Sequence, residues 1–307
     1  VVDPRTGEII ESDIIWYHNH LRSYRNRFMI EAGAQNPNAR TLDTPEEEIG
    51  EMMRMVIAHE VGHALGLPHN MKASAAYPTD SLRSAEFTQK YGLTPSIMDY
   101  ARVNYVAQPE DKGVRYIRMM GPYDLYAINW GYRYLPDADT PDDEKEKLDQ
   151  WILEKAGDPV YEFGGGYGGF DPQAQRESLG KDQVKASEYG LANMKKVVPN
   201  LIEWTTKDGY AYDELEEVYG ELISLWRGYL YHVVTNVGGV YETRKTSDQE
   251  GTIYTPVPDN IQKNAVQFLN ENAFTTPDWL LNKDILDRIE SSGAIARVQN
   301  LQSRVLN

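Results

Sequence analysis

The clearest periodic pattern of apolar residues lies in the N-terminal third of the chain. Apolar side chains recur there at helical spacing, at Ile49, Met52, Met53, Val56, Ile57, Val61, Ala64 and Leu65. This spacing predicts an α-helix with one strongly buried face. Thr44 is a suitable N-cap, Pro45 suits the first helical position, and Glu47 completes a capping box with Thr44. Gly66 and Pro68 predict the end of the helix.

Segments on either side of this helix also show regular patterns. Residues 8–17 are rich in isoleucine and aromatic residues and follow a turn-like segment, which predicts a β-strand. Residues 21–32 and 121–134 have the composition of helices, and Pro122 marks the start of the second one. The first part of the chain therefore combines a strand with helices.

Helical patterns dominate the second half of the chain. Residues 136–147 are dense in Asp, Glu and Pro, which favours an exposed connection and a domain boundary. The glycine-rich residues 164–169 predict a loop. Further helices are predicted at residues 183–198, 213–236, 259–272, 278–291 and 294–305, with a hairpin at 239–256. We therefore expect two domains, at residues 1–135 and 136–307.

Three histidines and a glutamate have the spacing of a catalytic metal site. His59 and His63 are four positions apart and so lie on the same face of the predicted helix. A left-handed conformation at Gly66 would turn the chain back and bring His69 to the same ion. Three neutral imidazoles leave a fourth position for water, as in catalytic zinc sites. Glu60, next to His59, is placed to act as the general base.

The segment from His59 to His69 resembles the zinc signature of the metzincin metallopeptidases, which include matrixins, astacins and serralysins. A methionine turn beneath the metal also marks these proteins, and residues 96–100 resemble it, with Met98 under the zinc. The resemblance implies an α+β catalytic domain with a small mixed sheet and an active-site helix, followed by a mostly helical domain. It also implies Zn²⁺ as the cofactor and endopeptidase activity.

Tyr100 and Asn70 refine this resemblance. In astacins and serralysins a tyrosine two residues after the turn methionine ligates zinc at rest and moves to the substrate oxyanion during the reaction. The resemblance implies that catalytic role for Tyr100, and a packed aromatic ring is an equal alternative.

Asn70 stands where the familiar families have an acidic residue or proline, which indicates a separate branch. Residues 3–134 are also similar to a group of large bacterial zinc-dependent metalloproteases.

The expected substrate site follows from the same resemblance. In metzincins the substrate lies extended against an edge strand above the metal, and residues 8–17 are the candidate for that strand. Few residues precede His59, which makes the upper sheet of such a domain short. We expect its missing strands upstream in a longer precursor.

Composition narrows the classes of partner. The formal net charge of -16 argues against nucleic acid and anionic membrane surfaces. The chain has no cysteine, which excludes disulfides and thiolate metal sites. No apolar run reaches the roughly 18–20 residues that span a bilayer. We expect a polypeptide substrate and a secreted, periplasmic or cell-surface location.

Two alternatives to a peptidase stay open at this point. The zinc site would also serve a hydrolase of a non-peptide amide. In the second alternative, the chain is an inactive binding protein. Its helical half binds a protein or glycan partner, and its zinc site is vestigial. Metal analysis separates the vestigial case, and digestion of a broad peptide library separates a peptidase from another hydrolase.

Overall fold

Helices dominate the part of the chain that the structure, a computed structural model, describes, which is residues 1–166, 169–291 and 294–306. The helices are α1 (His20–Ala32), α2 (Glu46–Ala64), α3 (Ala85–Tyr91), α4 (Pro122–Tyr132), α5 (Pro141–Leu153), α6 (Gln183–Val197), α7 (Leu201–Thr205), α8 (Asp213–Val234), α9 (Asp259–Asn272), α10 (Lys283–Ile289) and α11 (Ile295–Leu306). Strands β1 (Val240–Glu242) and β2 (Tyr254–Pro256) pair antiparallel, with Tyr241 opposite Thr255. The predicted α+β class is confirmed, and the two named strands lie in the second half of the chain.

Most of the predicted elements form close to their expected bounds. The helices predicted before residue 278 are present as α1, α2, α4, α6, α8 and α9, and the predicted hairpin contains β1 and β2. The segment 278–291 is helical only over α10. The glycine-rich loop includes Tyr167 and Gly168, which lie outside the described residues. Within those described ranges, no helix has the length and apolar composition needed to cross a bilayer.

Residues 136–147 are exposed as predicted, but helix α5 covers the second half of this predicted connection. The helix begins inside this segment because Thr140 and Asp143 form a capping pair. The Thr140 N–H and hydroxyl both donate to Asp143 Oδ2 at 2.8 Å. Such a pair satisfies donors at the first turn that would otherwise lack partners.

The strand predicted at residues 8–17 is wrong. Ile9 forms an isolated antiparallel bridge with Val2, and residues 10–17 have no regular secondary structure. Ile15 is 73% exposed, so the segment also buries little apolar surface. A strand requires a partner along its length, and in the described ranges the backbone pairing with residues 1–3 involves only residues 8–11 of this segment. The proposed edge strand for substrate binding is therefore absent from this part of the chain.

Helix α2 differs from its predicted form at its start and on one face. Pro45 is the N-cap, and the Thr44 hydroxyl has no hydrogen-bond partner in the described part of the chain, so the predicted capping box does not form. Met52 and Val56 are buried as expected, whereas Ile57 and Val61 are 38% and 41% exposed. The apolar stripe is thus wider than the face that packs on the core.

Among the described residues, two clusters of buried apolar side chains form the core, and α1 contributes to both. The larger cluster joins residues from both predicted domains, including Met29 of α1 and Trp226 of α8. The smaller cluster lies against α2 and includes Phe28, Met52 and Met98. The division into two domains stays a prediction, and α1 links α2 to the helical half by direct packing.

Asp124 of α4 fixes the segment that contains Met98. Its carboxylate accepts hydrogen bonds from the Ser96 hydroxyl at 2.6 Å and from the backbone N–H of Ile97 and of Gly121, both at 2.8 Å. Asp124 is buried, so no water would accept hydrogen bonds from these donors if its carboxylate were removed. The helix predicted at residues 121–134 therefore serves as the support of the methionine turn.

We predict that Asp124→Ala lowers the free energy of unfolding by about 2–4 kcal/mol, because it leaves three buried donors without an acceptor. Urea denaturation followed by circular dichroism measures this change. Asp149→Ala, at an exposed position of α5, is the matched control and should change stability by less than about 0.5 kcal/mol. Equal stability of the two variants would contradict the assigned role of Asp124.

Candidate metal centre

Helix α2 carries the first two histidines on one side. The ring centres of His59 and His63 are 4.7 Å apart, as expected for residues one helical turn apart. His59 is buried and His63 is half-buried. The two rings therefore meet at the edge of the helix, where a third ligand can approach.

Gly66 brings His69 to these two rings. Its φ of +87° lies in the left-handed region that favours glycine, and the chain reverses direction there after α2 ends. The His69 ring centre lies 4.4 Å from that of His63 and 5.2 Å from that of His59. Each of the three side chains offers a nitrogen within 4.8 Å of the other two. The convergence predicted from the sequence is present.

Backbone carbonyls set the direction of two of the rings. The Nδ1 of His59 lies 2.7 Å from the Ile97 carbonyl oxygen, and the Nδ1 of His63 lies 2.8 Å from that of Leu67. A carbonyl oxygen only accepts hydrogen bonds, so both Nδ1 atoms carry the proton and both Nε2 atoms have a free lone pair. The Nε2 atoms of His63 and His69 are 2.9 Å apart. A proton on Nδ1 and a lone pair on Nε2 make up the tautomer that metal-binding histidines adopt.

Burial keeps two of the three imidazoles neutral near pH 7. Desolvation, aided by the charge of Arg118, lowers the pKa of His59 to about 3. Desolvation also lowers the pKa of His69 to about 4, with smaller effects from His63 and Arg176. A neutral imidazole does not need to lose a proton before it binds a metal ion.

Met98 lies directly under α2, as the sequence predicts. Its side chain is fully buried, and a Cβ atom placed on Gly62 would collide with its sulfur. Any larger residue at this position would force the Met98 side chain to move. Sequence reasoning did not identify Gly62, although it stands between Glu60 and His63 in the motif.

Asn70 ties the third histidine to the rest of the site. Its N–H donates to the Met98 carbonyl at 3.0 Å. Its buried side-chain amide donates to the Glu162 carbonyl and accepts from the Gly164 N–H, both at 3.0 Å. The residue that departs from the familiar families thus fixes the backbone next to His69. Its partners lie far along the chain, so this role is not visible in the sequence.

Asp99 holds the other side of the methionine turn. It is fully buried and accepts hydrogen bonds from the backbone N–H of Ser74 at 2.7 Å and of Ala101 at 2.8 Å. Burial raises its pKa to about 7, against the opposing charge of Arg118. Asp99 therefore fixes the backbone that carries Met98 and Tyr100.

Glu60 and Tyr100 flank the three imidazoles. Glu60 is half-buried, and its carboxylate has no hydrogen bond or ion pair with the residues that the structure describes. The Tyr100 ring centre lies 4.4 Å from that of His69 and 5.6 Å from that of His59. Desolvation raises the pKa of Tyr100, so its hydroxyl stays protonated near pH 7. The site thus has a free proton acceptor and a free hydrogen-bond donor.

The donor set fits a zinc ion. Zinc in catalytic sites is bound by three protein side chains, often three histidines, and keeps one position open. His59, His63 and His69 supply three nitrogen donors, and two of them have the carbonyl-bound Nδ1 that fixes a ligand's orientation. Within the described part of the chain, no other group of three or more acidic or histidine side chains has this geometry.

A cavity of about 1440 Å³ lies beside the metal centre. Residues 65–68, which join the second and third histidines, form part of its wall. The histidines themselves, Glu60 and Tyr100 do not line it. Its aromatic wall consists of Tyr123, Tyr126, Trp130, Tyr132, Tyr161 and Phe163. The cavity adjoins the site from the side of α4 and is not the site itself.

Comparison with known proteins gives one family. The chain matches a family described as Met-zincin over residues 41–307, which include the histidine motif, the methionine turn and the helical half. No curated protein and no solved structure matches the chain. The match agrees with the resemblance read from His59, His63, His69 and Met98, and together with the three-histidine group it indicates a zinc metallopeptidase. Because the match covers most of its length, the chain belongs to the Met-zincin family.

Proposed function

We propose that this protein is a zinc-dependent endopeptidase with Glu60 as its general base. One observation carries the proposal, namely the convergence of His59, His63 and His69 beside an unpaired carboxylate. A structural zinc site would instead be closed by a fourth protein ligand. Family membership supports the same function.

The three histidines hold the metal, and the backbone orients them. The carbonyls of Ile97 and Leu67 keep two Nδ1 atoms protonated, which directs the opposite nitrogens towards the ion. When bound, zinc lowers the pKa of a water molecule towards about 7 and polarises the carbonyl of the scissile bond. The remaining steps depend on side chains of the chain itself.

Glu60 moves the proton. Its carboxylate has no internal partner, so it is free to accept a proton from the attacking water. The protonated carboxyl then donates to the nitrogen of the leaving amine, which completes the cleavage. The water oxygen first bonds to the carbonyl carbon, which gives a tetrahedral oxyanion, and the carbon–nitrogen bond then breaks as Glu60 protonates the amine nitrogen.

Tyr100 supplies a hydrogen bond to the developing oxyanion. Its hydroxyl is protonated near pH 7, and its ring contacts two of the three imidazoles. A donor at this place is worth most in the transition state, when negative charge builds on the carbonyl oxygen.

The surroundings of the site favour a polypeptide over a small amide as substrate. A cavity of about 1440 Å³ with aromatic walls continues from the loop between the second and third histidines. A small amide would leave most of that surface in water, whereas a chain has side chains to fill it. A location outside the cytoplasm stays a prediction.

We predict that Glu60→Gln binds zinc as the wild type does and loses at least about a hundredfold in turnover, because the general base is removed and the ligands stay. Zinc content by elemental analysis and digestion of a peptide library measure the two effects. Glu47→Gln, at an exposed position in the first turn of α2, is the matched control and should keep full activity. Near-normal hydrolysis by Glu60→Gln would exclude the proposed mechanism.

Tyr100→Phe should lower kcat by roughly ten- to a hundredfold and change KM little, because it removes one transition-state hydrogen bond and keeps the ring. Steady-state kinetics on a peptide from the library give both constants. Tyr210→Phe, at a site that is 79% exposed, controls for loss of a hydroxyl. An unchanged kcat would show that Tyr100 is only a packed aromatic residue.

A further inference from the structure

Arg176 presents an unpaired guanidinium at the edge of the metal centre. Its Cζ lies 6.0 Å from the centre of the Tyr100 ring, and that ring lies 4.4 Å from the His69 ring. The side chain is exposed, and within the described part of the chain no group accepts a hydrogen bond from it. A free cation therefore lies next to two residues of the site.

Two features hold the backbone of Arg176 in place. The buried His232 donates from Nε2 to the Arg176 carbonyl at 2.8 Å. The next residue, Glu177, has a φ of 62° and is the one non-glycine residue with positive φ in the described ranges. This conformation is unfavourable for a residue with a Cβ atom, so surrounding contacts must maintain it.

Ion pairs of Glu177 supply those contacts. Its carboxylate pairs with Arg27 and, at 3.0 Å, with Arg102. Arg27 is buried and also pairs with Glu31 at 2.8 Å, and the Tyr229 hydroxyl donates to Glu31 at 2.9 Å. Glu177 is thus anchored to α1 and α8. The main chain of Arg176 is fixed, whereas its guanidinium stays free.

The other cations near the site are already engaged. Arg102 is paired with Glu177, and Arg118 is buried beneath His59. Arg176 is the exposed cation that remains beside the Tyr100 ring. In a chain with a formal net charge of -16, this exposed cation is a local exception.

We propose that Arg176 binds a carboxylate of the substrate near the scissile bond, so that the enzyme prefers an acidic group there. The planar fork of arginine matches a carboxylate with two parallel hydrogen bonds. The carboxylate is either an Asp or Glu side chain or the free C-terminus of the substrate, which share this chemistry. The inference rests on the proposed peptidase function and names the substrate class that it favours.

Four small hydroxamates that bind the metal test this inference without turnover. In the first pair, acetyl-glutamyl hydroxamate and acetyl-glutaminyl hydroxamate differ only in carboxylate against carboxamide. In the second pair, a hydroxamate linked to leucine has either a free α-carboxylate or an amide. Isothermal titration calorimetry on the zinc-loaded protein gives the four values of Kd. The pair that shows discrimination identifies the source of the carboxylate.

We expect the acidic member of one pair to bind the wild type about three- to tenfold more tightly than its neutral partner. Arg176→Met should abolish this ratio and leave the Kd of the neutral members unchanged. If Arg176 only supports Tyr100, both members of a pair change together. The ratio, rather than either value, therefore reports the proposed contact.

Arg54→Met is the matched control because it removes the same charge. Arg54 is exposed on α2, five positions before His59 and nine before His63. At about 100° per residue it points about 140° away from the first and about 180° from the second. The ratio measured for the wild type should persist in this variant.

The outcomes separate this inference from the proposed function. Equal binding within both pairs, or a ratio that survives in Arg176→Met, overturns the inference alone if the zinc-loaded wild type still digests a peptide library. A library left intact overturns the peptidase proposal, while the ratio still reports whether Arg176 binds a carboxylate. If the protein holds no zinc and binds none of the probes, both proposals fail.

Discussion

Two backbone carbonyl oxygens determine where the imidazoles point. Those of Ile97 and Leu67 fix the Nδ1 atoms of His59 and His63, which leaves the Nε2 atoms of both rings to face one ion. The two carbonyls lie in different segments, the methionine turn and the loop after α2. The metal centre therefore depends on everything that holds these segments against each other. Gly62 admits Met98, and the Asn70 N–H binds the Met98 carbonyl.

The parts of the site that the sequence predicted correctly are those set by local geometry. The four-residue spacing of His59 and His63 places them on one helix face, and Gly66 has the positive φ expected of a helix-ending glycine. The strand at residues 8–17 failed because a strand depends on a partner, which local composition does not reveal. The capping box at Thr44 failed because the proline after it took the N-cap position.

Other features were invisible because their causes lie far along the chain. Asn70 binds residues 162 and 164, Asp124 binds the turn before Tyr100, and Arg176 reaches the site from the helical half. Each acts through contacts with residues that are distant in the sequence. A sequence motif thus located the three converging histidines, whereas the residues that support them required the fold.

The helical half takes part in the site as well as in the core. The larger apolar cluster continues from α1 into α6 and α8, and the family match extends to the last residue. The ion pair of Glu177 with Arg27 joins the loop that carries Arg176 to α1, and the hydrogen bond from His232 joins it to α8. The candidate metal centre thus has contacts from both predicted domains, even though the three histidines come from one short segment.

X-ray absorption spectroscopy at the zinc edge, combined with metal content, tests the central claim most directly. The arrangement of His59, His63 and His69 predicts one zinc ion per chain, bound by three imidazole nitrogens at about 2.0–2.1 Å and by one further oxygen. His69→Ala should reduce the imidazole count by one. A protein that binds no zinc, or that shows the same coordination with and without His69, would contradict this account.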